Sequence, residues 1–191
     1  MKSAKWVILL FGILALVQLM VPAKMILDSE TVISEGSLFL FKLRPIDPND
    51  PFRGKYMTLS FEADEFTIDT CATVGRYNAY VYLKSDAEGF ATIQSVESST
   101  TLRGTDYVKA SVYCDYYGPV NKLKKPKLHV QYSFNRYYMN ELNISSAEDK
   151  VRELLRDTTV TIYGEVFIKS GHARIQSIKS NGEDILDLIQ E

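Results

Sequence analysis

The sequence contains few of the residues that build catalytic or metal centres. Its only two histidines, His129 and His172, lie far apart in the chain. No group of cysteine, histidine or acidic residues has the spacing of a zinc site. A nucleophile-elbow motif is also missing, so nothing marks a serine for a His-based triad. We therefore predict neither a metal nor a cofactor.

The sequence also lacks an excess of charge of either sign. It has 22 Lys and Arg residues against 24 Asp and Glu, for a formal net charge of -2. Domains that bind nucleic acid concentrate positive charge on one face, whereas this composition is nearly balanced. We therefore predict no nucleic-acid partner.

Cysteine is scarce as well, with two residues, Cys71 and Cys114. Two cysteines carry no spacing signature of a disulfide framework. In an oxidising compartment they would be able to pair, and otherwise they would serve as small buried apolar side chains. The sequence leaves both interpretations open.

One long apolar run is present, at residues 6–23, interrupted only by Gln18 and Pro22. About 20 apolar residues are needed for a helix to cross a bilayer, whereas the apolar core of a signal peptide is shorter. Lysines before the run predict a cytoplasmic N-terminus, and small residues around Pro22 form an acceptable cleavage site. Residues 1–27 are thus either an uncleaved anchor, with 6–23 in the lipid bilayer, or a cleaved signal. In both cases the rest of the chain lies outside the cytoplasm.

Residues 28–36 are interpreted as a connector and residues 37–191 as one β-rich domain. Apolar residues recur with the period of two that strands show. The predicted strands are 37–44, 57–61, 78–84, 90–97, 107–114, 128–134, 160–168 and 172–179. One helix is predicted from Ser145, a capping residue followed by Glu148 and the apolar Val151. The expected fold is mainly β (α+β), a barrel-like or folded antiparallel sheet with one α-helix, preceded by one transmembrane helix.

Residues 44–53 combine prolines at intervals of three with aspartate and asparagine. Proline excludes helix, and Asp and Asn favour turns by bonding their own backbone. The segment therefore predicts an ordered turn. Its charged residues Asp47, Asp50 and Arg53 have two interpretations, a turn that stabilises itself or a binding surface for a partner or a cation.

The segment Gly54-Lys55-Tyr56-Met57-Thr58-Leu59-Ser60-Phe61 resembles the signature of the bacterial GDYXXLXY protein family. The preceding residues 44–53 are similar to the Pro/Asp-rich segment that family members carry before it. Residues 135–141, an aromatic stretch ending in Glu141, are similar as well. The resemblance implies a membrane-anchored extracytoplasmic protein that acts with a multi-pass membrane protein. Lys55 and Phe61 depart from the signature, which has an acidic residue and a tyrosine there.

Much of the signature has a structural explanation. Gly54 permits the turn that leads into a strand. In that strand Leu59 and Phe61 are predicted to point inward, and Tyr56 lies on the other face, where its hydroxyl needs a partner. Gly54, Leu59 and Phe61 are therefore interpreted as the structural part of the motif.

Three functions remain as hypotheses. The first is an extracytoplasmic binding or assembly module that acts with a membrane protein. Its expected contact residues are Asp47, Asp50, Arg53, Tyr56, Tyr137, Tyr138 and Glu141. The second is an envelope hydrolase that uses Ser60 with Lys55. The third is a binder of glycans or peptides through the tyrosines in the middle of the chain, namely Tyr113, Tyr116, Tyr117, Tyr132, Tyr137 and Tyr138.

Overall fold

The computed structural model describes residues 2–45, 56–69, 71, 75–99, 106–115, 125–157 and 159–189. The helices are α1 (Lys2–Glu35), α2 (Glu141–Leu154) and α3 (Ile185–Leu188), and a 3₁₀ turn covers Glu62–Asp64. The first strands are β1 (Ser37–Lys42), β2 (Tyr56–Thr58), β3 (Glu65–Thr67), β4 (Arg76–Ser85), β5 (Ala91–Glu97) and β6 (Tyr107–Cys114). The remaining strands are β7 (Lys127–Gln131), β8 (Arg136–Tyr138), β9 (Ile162–Lys169), β10 (His172–Ser180) and β11 (Glu183–Asp184).

The strands form a nearly closed, barrel-like antiparallel arrangement. A five-stranded sheet has the order β3-β7-β6-β4-β5, a four-stranded sheet has the order β1-β9-β10-β11, and β2 pairs with β8. Two bridges join the larger sheets, one between Leu40 and Phe90 and one between Val108 and Gly171. The mainly β prediction is therefore confirmed, with additional short strands and helices.

An aromatic cluster fills the centre of the core. It includes Phe61, one of the signature residues predicted to point inward. Phe61 is fully buried, and its ring centroid lies 5.3 Å from that of Phe41 on β1. Tyr132 and Phe134 complete the cluster, with their rings stacked 4.9 Å apart. The Tyr132 hydroxyl donates to the Ala63 carbonyl at 2.8 Å, which satisfies the one polar atom of a side chain that is otherwise wholly buried. Leu59 is also buried, so both inward predictions are confirmed.

Three predicted boundaries are wrong by three residues or more. The strand predicted over 57–61 ends at Thr58, and each of the other two errors has a local cause. The strand predicted over 128–134 ends at Gln131, because the chain turns at residues 133 and 134 to start β8. Tyr132 and Phe134 keep their inward direction across that turn, so the alternation imitates a longer strand. The helix predicted from Ser145 begins at Glu141, because the Asn140 side chain accepts a hydrogen bond from the Leu142 amide at 3.1 Å. Asparagine caps a helix as well as serine does.

Helix α1 runs without interruption through the predicted connector and ends at Glu35. Residues 5–35 are long and apolar enough to cross a membrane. Their most apolar 18-residue window has a mean hydropathy of 2.4 and is wholly exposed. Within the described ranges, the contacts of α1 with the β domain come from its last turns. There Lys169 Nζ lies 2.6 Å from a Glu35 carboxylate oxygen, and Arg174 Nε donates to the Ser29 hydroxyl at 3.0 Å. The last turns of α1 therefore pack against the β9–β10 hairpin.

The two cysteines form a disulfide, which answers the question left open by the sequence. Cys71 and Cys114 have Cα atoms 6.2 Å apart. Cys114 is the last residue of β6, and Cys71 lies between β3 and β4. The bond therefore ties the segment after β3 to the end of a central strand.

Candidate functional site

Strands β2 and β8 bring the signature against the aromatic stretch that precedes α2. Tyr56 pairs in register with Tyr138, and their ring centroids lie 5.6 Å apart at an interplanar angle of 57°. The Arg136 guanidinium lies over the Tyr56 ring, 4.8 Å from its centroid. Tilted aromatic pairs and cation–π contacts of this kind hold side chains in fixed positions. The structure thus joins two sequence segments that the family resemblance singled out separately.

Two side chains at the junction of β8 and α2 are strongly exposed. Tyr138 is 65% exposed and Leu142, the second residue of α2, is 85% exposed. Glu141 opens the helix, where an acidic side chain is favourable beside the N-terminal dipole. We call the group Tyr56, Arg136, Tyr138, Glu141 and Leu142 the Tyr138 surface.

Sequence reasoning missed Leu142 and Arg136. The buried residues of α2 are Ile144, Ala147 and Val151, which share one helical face. Leu142 lies two positions from Ile144 and so falls on the opposite, polar face. An apolar residue on the helix face opposite to the buried residues indicates a possible contact residue. The sequence shows this for Leu142 only if the helix is known to begin at Glu141.

Tyr137 does not belong to this surface. It is only 8% exposed and points into the core, as Met57 does across the ribbon. Burial raises the pKa of its hydroxyl, and the nearby Asp184 carboxylate raises that pKa further. Tyr137 and Tyr138 therefore lie on opposite faces of β8, since neighbouring residues on a strand face opposite sides, and a contact role for Tyr137 stays a prediction.

The charged turn of the sequence prediction lies outside the described residues. This applies to Asp47, Asp50, Arg53 and Gly54, and also to Lys55. Their contribution to a binding surface stays a prediction. Among the predicted contact residues in and next to this turn, Tyr56 is the one that the structure describes, and it faces Tyr138.

Ser60, the serine of the hydrolase hypothesis, is engaged in a structural network. Its hydroxyl accepts a hydrogen bond from Arg44 Nε at 2.6 Å and donates to an Asp64 carboxylate oxygen at 2.9 Å. Arg44 also pairs with Glu65 at 2.7 Å. A hydroxyl whose lone pair faces a guanidinium is a poor nucleophile, because the cation withdraws electron density from it. The arrangement stabilises the junction of β1 with the signature.

Asp64 is a half-buried member of that network. Burial raises the pKa of its carboxyl, while hydrogen bonds from the Phe61 amide and the Ser60 hydroxyl act against that change. Both bonds close the 3₁₀ turn that follows the signature. The carboxyl therefore has a role in holding the backbone.

The two histidines lie on strands, as their alternation with apolar neighbours predicts. His129 Nε2 lies 2.5 Å from an Asp115 carboxylate oxygen, and its ring stacks on Tyr113 at 4.9 Å. His172 begins β10 and is exposed. Among the described residues, no group of three or more His, Cys, Asp or Glu side chains could hold a metal ion.

The Tyr138 surface lies at one end of the barrel, and helix α1 contacts the opposite end. Strands β1, β9 and β10 meet that helix near Gly36, Ile168 and Arg174. Their other ends lead to α3, which contacts α2. Because a strand rises about 3.3 Å per residue, the five to eight residues between these ends span roughly 17–26 Å. The exposed surface is therefore well separated from the apolar helix.

The fold and the surface define a barrel-like β domain carried on one N-terminal apolar helix, with an exposed aromatic group at its far end. Residues 18–178 match the family model described as GDYXXLXY protein. The chain belongs to this family. Neither a curated protein nor a solved structure matches it.

Proposed function

We propose that this protein is a membrane-anchored, extracytoplasmic binding or assembly module that acts with a multi-pass membrane protein. Residues 6–23 anchor it in the bilayer, with the N-terminus in the cytoplasm and the β domain on the other side. The Tyr138 surface is the contact site. One observation carries the proposal, the exposure of Tyr138 and Leu142 beside a fixed aromatic–arginine group.

The composition of this surface supports a protein contact. Binding hot spots are enriched in tyrosine and arginine, and contiguous exposed apolar and aromatic side chains mark interaction sites. Tyr138 and Tyr56 constrain each other, and Arg136 lies on the Tyr56 ring. Such preorganised side chains lose little conformational entropy on binding.

The position of the surface narrows the kind of partner. It lies roughly 17–26 Å along the strands from the contact between α1 and the barrel. Side chains of a partner that lie within the bilayer would not reach it. The partner would therefore present an extracytoplasmic loop or domain to it.

Site-specific photo-crosslinking on intact membranes tests the contact. A photoreactive residue is introduced at Tyr138 or Leu142 in the full chain, and crosslinked products are identified by mass spectrometry. Arg152 provides the matched control, because it is exposed on the same helix, about 15 Å further along its axis. We expect the same multi-pass membrane protein from both surface positions and none from Arg152.

Capture with the full chain gives a second readout. A Tyr138→Ala, Leu142→Ala double variant should lose the crosslinked protein, whereas Arg152→Ala should retain it. Equal recovery by all variants would show that the surface is wrong. In the same samples, the mass of the membrane-extracted chain decides between anchor and cleaved signal, since a product that starts after Ala23 rules out anchoring by residues 6–23.

A further inference from the structure

The outer face of the five-stranded sheet contains a trough at a different place from the Tyr138 surface. Strand register places the outward side chains of β4, β6 and β7 in successive rows. The first row consists of Arg76, Tyr113 and His129. The second consists of Asn78, Ser111 and Gln131. The third contains Tyr80 and Lys109, with Glu97 in the β5 position.

Short side chains make the middle of this face lower than its surroundings. Asn78 and Ser111 are short. On one side of them lies Tyr113, and on the other side lie Tyr80 and Lys109. Ala79 and Ala110, which lie between these rows, point into the core. The resulting cavity has a volume of about 630 Å³ and is lined by Asn78, Tyr80, Lys109, Ser111, Gln131 and Ser133 among others. It extends from the end of β5 to the end of β7, which corresponds to about 14 Å across the strands.

The first row lies beside the cavity lining, next to the second row, and its side chains hold one another in place. The Tyr113 ring stacks on His129 at 4.9 Å with an interplanar angle of 15°, and Asp115 holds that histidine. Arg76 lies over the Tyr113 ring, 5.4 Å from its centroid, and donates a hydrogen bond to the Gln131 side-chain carbonyl. The Gln131 amide is thereby oriented, and its NH₂ group remains as a donor.

Several polar groups of the trough have no partner within the described part of the chain. This holds for the Asn78 amide, the Ser111 hydroxyl and the Lys109 ammonium group, none of which takes part in a hydrogen bond or ion pair there. A ligand that fits must therefore supply hydroxyl-type donors and acceptors together with one negative charge for Lys109. Its apolar parts would meet the Tyr80 ring, which lines the cavity, and would reach towards the Tyr113 ring in the neighbouring row.

We propose that this trough is a binding site for an acidic saccharide, a short oligosaccharide with carboxylate or phosphate groups. Sugar rings offer apolar C–H faces to tyrosine rings and hydroxyl groups to amides and serines. A peptide that adds a strand is disfavoured, because β4, β6 and β7 are interior strands whose backbone groups are already paired. The proposal does not depend on the Tyr138 surface, which lies on other elements.

Calorimetric titration of the full chain in detergent micelles tests the site. The probes are a galacturonic acid pentasaccharide as acidic ligand, maltopentaose as neutral ligand and a glutamate pentapeptide as a charge-matched control. We expect the acidic saccharide to bind at millimolar concentration or better. Lys109→Gln should weaken its binding about tenfold, the usual effect of losing one charge-assisted hydrogen bond. Asn78→Ala should weaken both saccharides.

Lys84→Gln is the matched control, since Lys84 is exposed on β4 of the same sheet but lies outside the cavity lining. It should leave the affinity unchanged. Circular dichroism verifies that each variant is folded. The proposal is overturned if neither saccharide binds at millimolar concentration, if the glutamate peptide binds as well as the acidic saccharide, or if Lys109→Gln and Lys84→Gln have equal effects.

Discussion

Arg44 and Ser60 are joined through both their side chains and their main chains. Arg44 Nε donates to the Ser60 hydroxyl at 2.6 Å, and the Arg44 amide donates to the Ser60 carbonyl at 2.9 Å. Arg44 opens the proline-rich segment and Ser60 lies near the end of the signature. The two family-like segments are therefore fastened to each other at their outer ends, which gives Arg44 a structural role.

Replacing Arg44 by alanine should destabilise the domain. The change removes two side-chain hydrogen bonds, to Ser60 and Glu65, and leaves the half-buried Asp64 without its nearest cation. Hydrogen bonds to charged groups contribute about 1.5–3 kcal/mol each, and solvent screening reduces this for the partly exposed Arg44 and Glu65. We therefore expect a total loss of about 2–3 kcal/mol of unfolding free energy. Urea unfolding of the full chain in micelles, followed by far-UV circular dichroism, measures it.

Lys125→Ala is the matched control for that experiment. Lys125 also forms an ion pair, with Asp69, but both side chains are largely exposed. Exposed pairs contribute little to stability. The interpretation of the Arg44 network would be wrong if both variants shifted the urea midpoint equally.

The stability of the domain should fall on acidification through the titration of Glu65. Hydrogen bonds from Lys127, and then from Arg44, hold the pKa of this carboxyl at about 2, whereas its ordinary value is 4.5. A carboxyl whose pKa is lower in the folded state stabilises the fold above its unfolded pKa. That stabilisation is lost as the pH falls from about 4.5 to about 2. Asp64 acts with the opposite sign, because burial raises its pKa and protonation favours its folded form.

A Glu65→Gln variant isolates this effect. It should be less stable than the wild type near neutral pH and should lose less stability between about pH 6 and about pH 3. Glu88→Gln removes a more exposed carboxylate, which pairs with Lys42, and should follow the wild-type profile. Parallel pH profiles for wild type and Glu65→Gln would show that another group governs the acid sensitivity.

The Cys71–Cys114 disulfide should make stability depend on redox conditions. The cysteines are separated by 43 positions. Closing a loop of that size in the unfolded chain stabilises the folded state by about 2–4 kcal/mol. We expect reducing agent to lower the urea midpoint of the wild type and to leave a Cys71→Ser, Cys114→Ser variant unchanged. Two freely labelled thiols in the native, unreduced protein would contradict the bond.

The sequence predicts the parts of this fold that depend on local periodicity. Strands β4, β5, β6, β9 and β10 and the inward direction of Leu59 and Phe61 all follow from alternation. The short β3 and β11 escape prediction, because three or two residues show no period. The start of α2 is misplaced, since two capping residues, Asn140 and Ser145, compete in one stretch and only packing decides between them.

The candidate site is predictable only in part. Tyr56, Tyr138 and Glu141 follow from the resemblance, but the cross-strand pairing that brings Tyr56 to Tyr138 depends on long-range contacts. Leu142 cannot be recognised before the phase of α2 is known. The trough depends on register between three strands that are distant in sequence, and no local pattern indicates such a register.

Closure of the barrel should depend on Gly171, which joins the β9–β10 hairpin to β6. The Lys109 amide donates to the Gly171 carbonyl at 3.1 Å, and the Gly171 backbone has a φ of +84°. A Cβ atom there would lie 2.7 Å from the Tyr107 ring. Gly89 has a similar φ of +90°, but a Cβ atom added to it would meet no described atom within 4 Å. Substitution at Gly89 therefore tests backbone strain alone, whereas substitution at Gly171 tests backbone strain together with a steric clash.

Alanine at either glycine should cost about 1–2 kcal/mol through the left-handed backbone alone. Gly171→Ala should cost more than Gly89→Ala, because the hairpin must also move away from β6. Hydrogen exchange gives a local readout: the Lys109 amide should exchange faster in Gly171→Ala and remain protected in Gly89→Ala. Equal stability losses together with an unchanged Lys109 amide would mean that the bridge to β6 contributes nothing to closure. The two sheets would then be held together by the Leu40–Phe90 bridge and by their shared core.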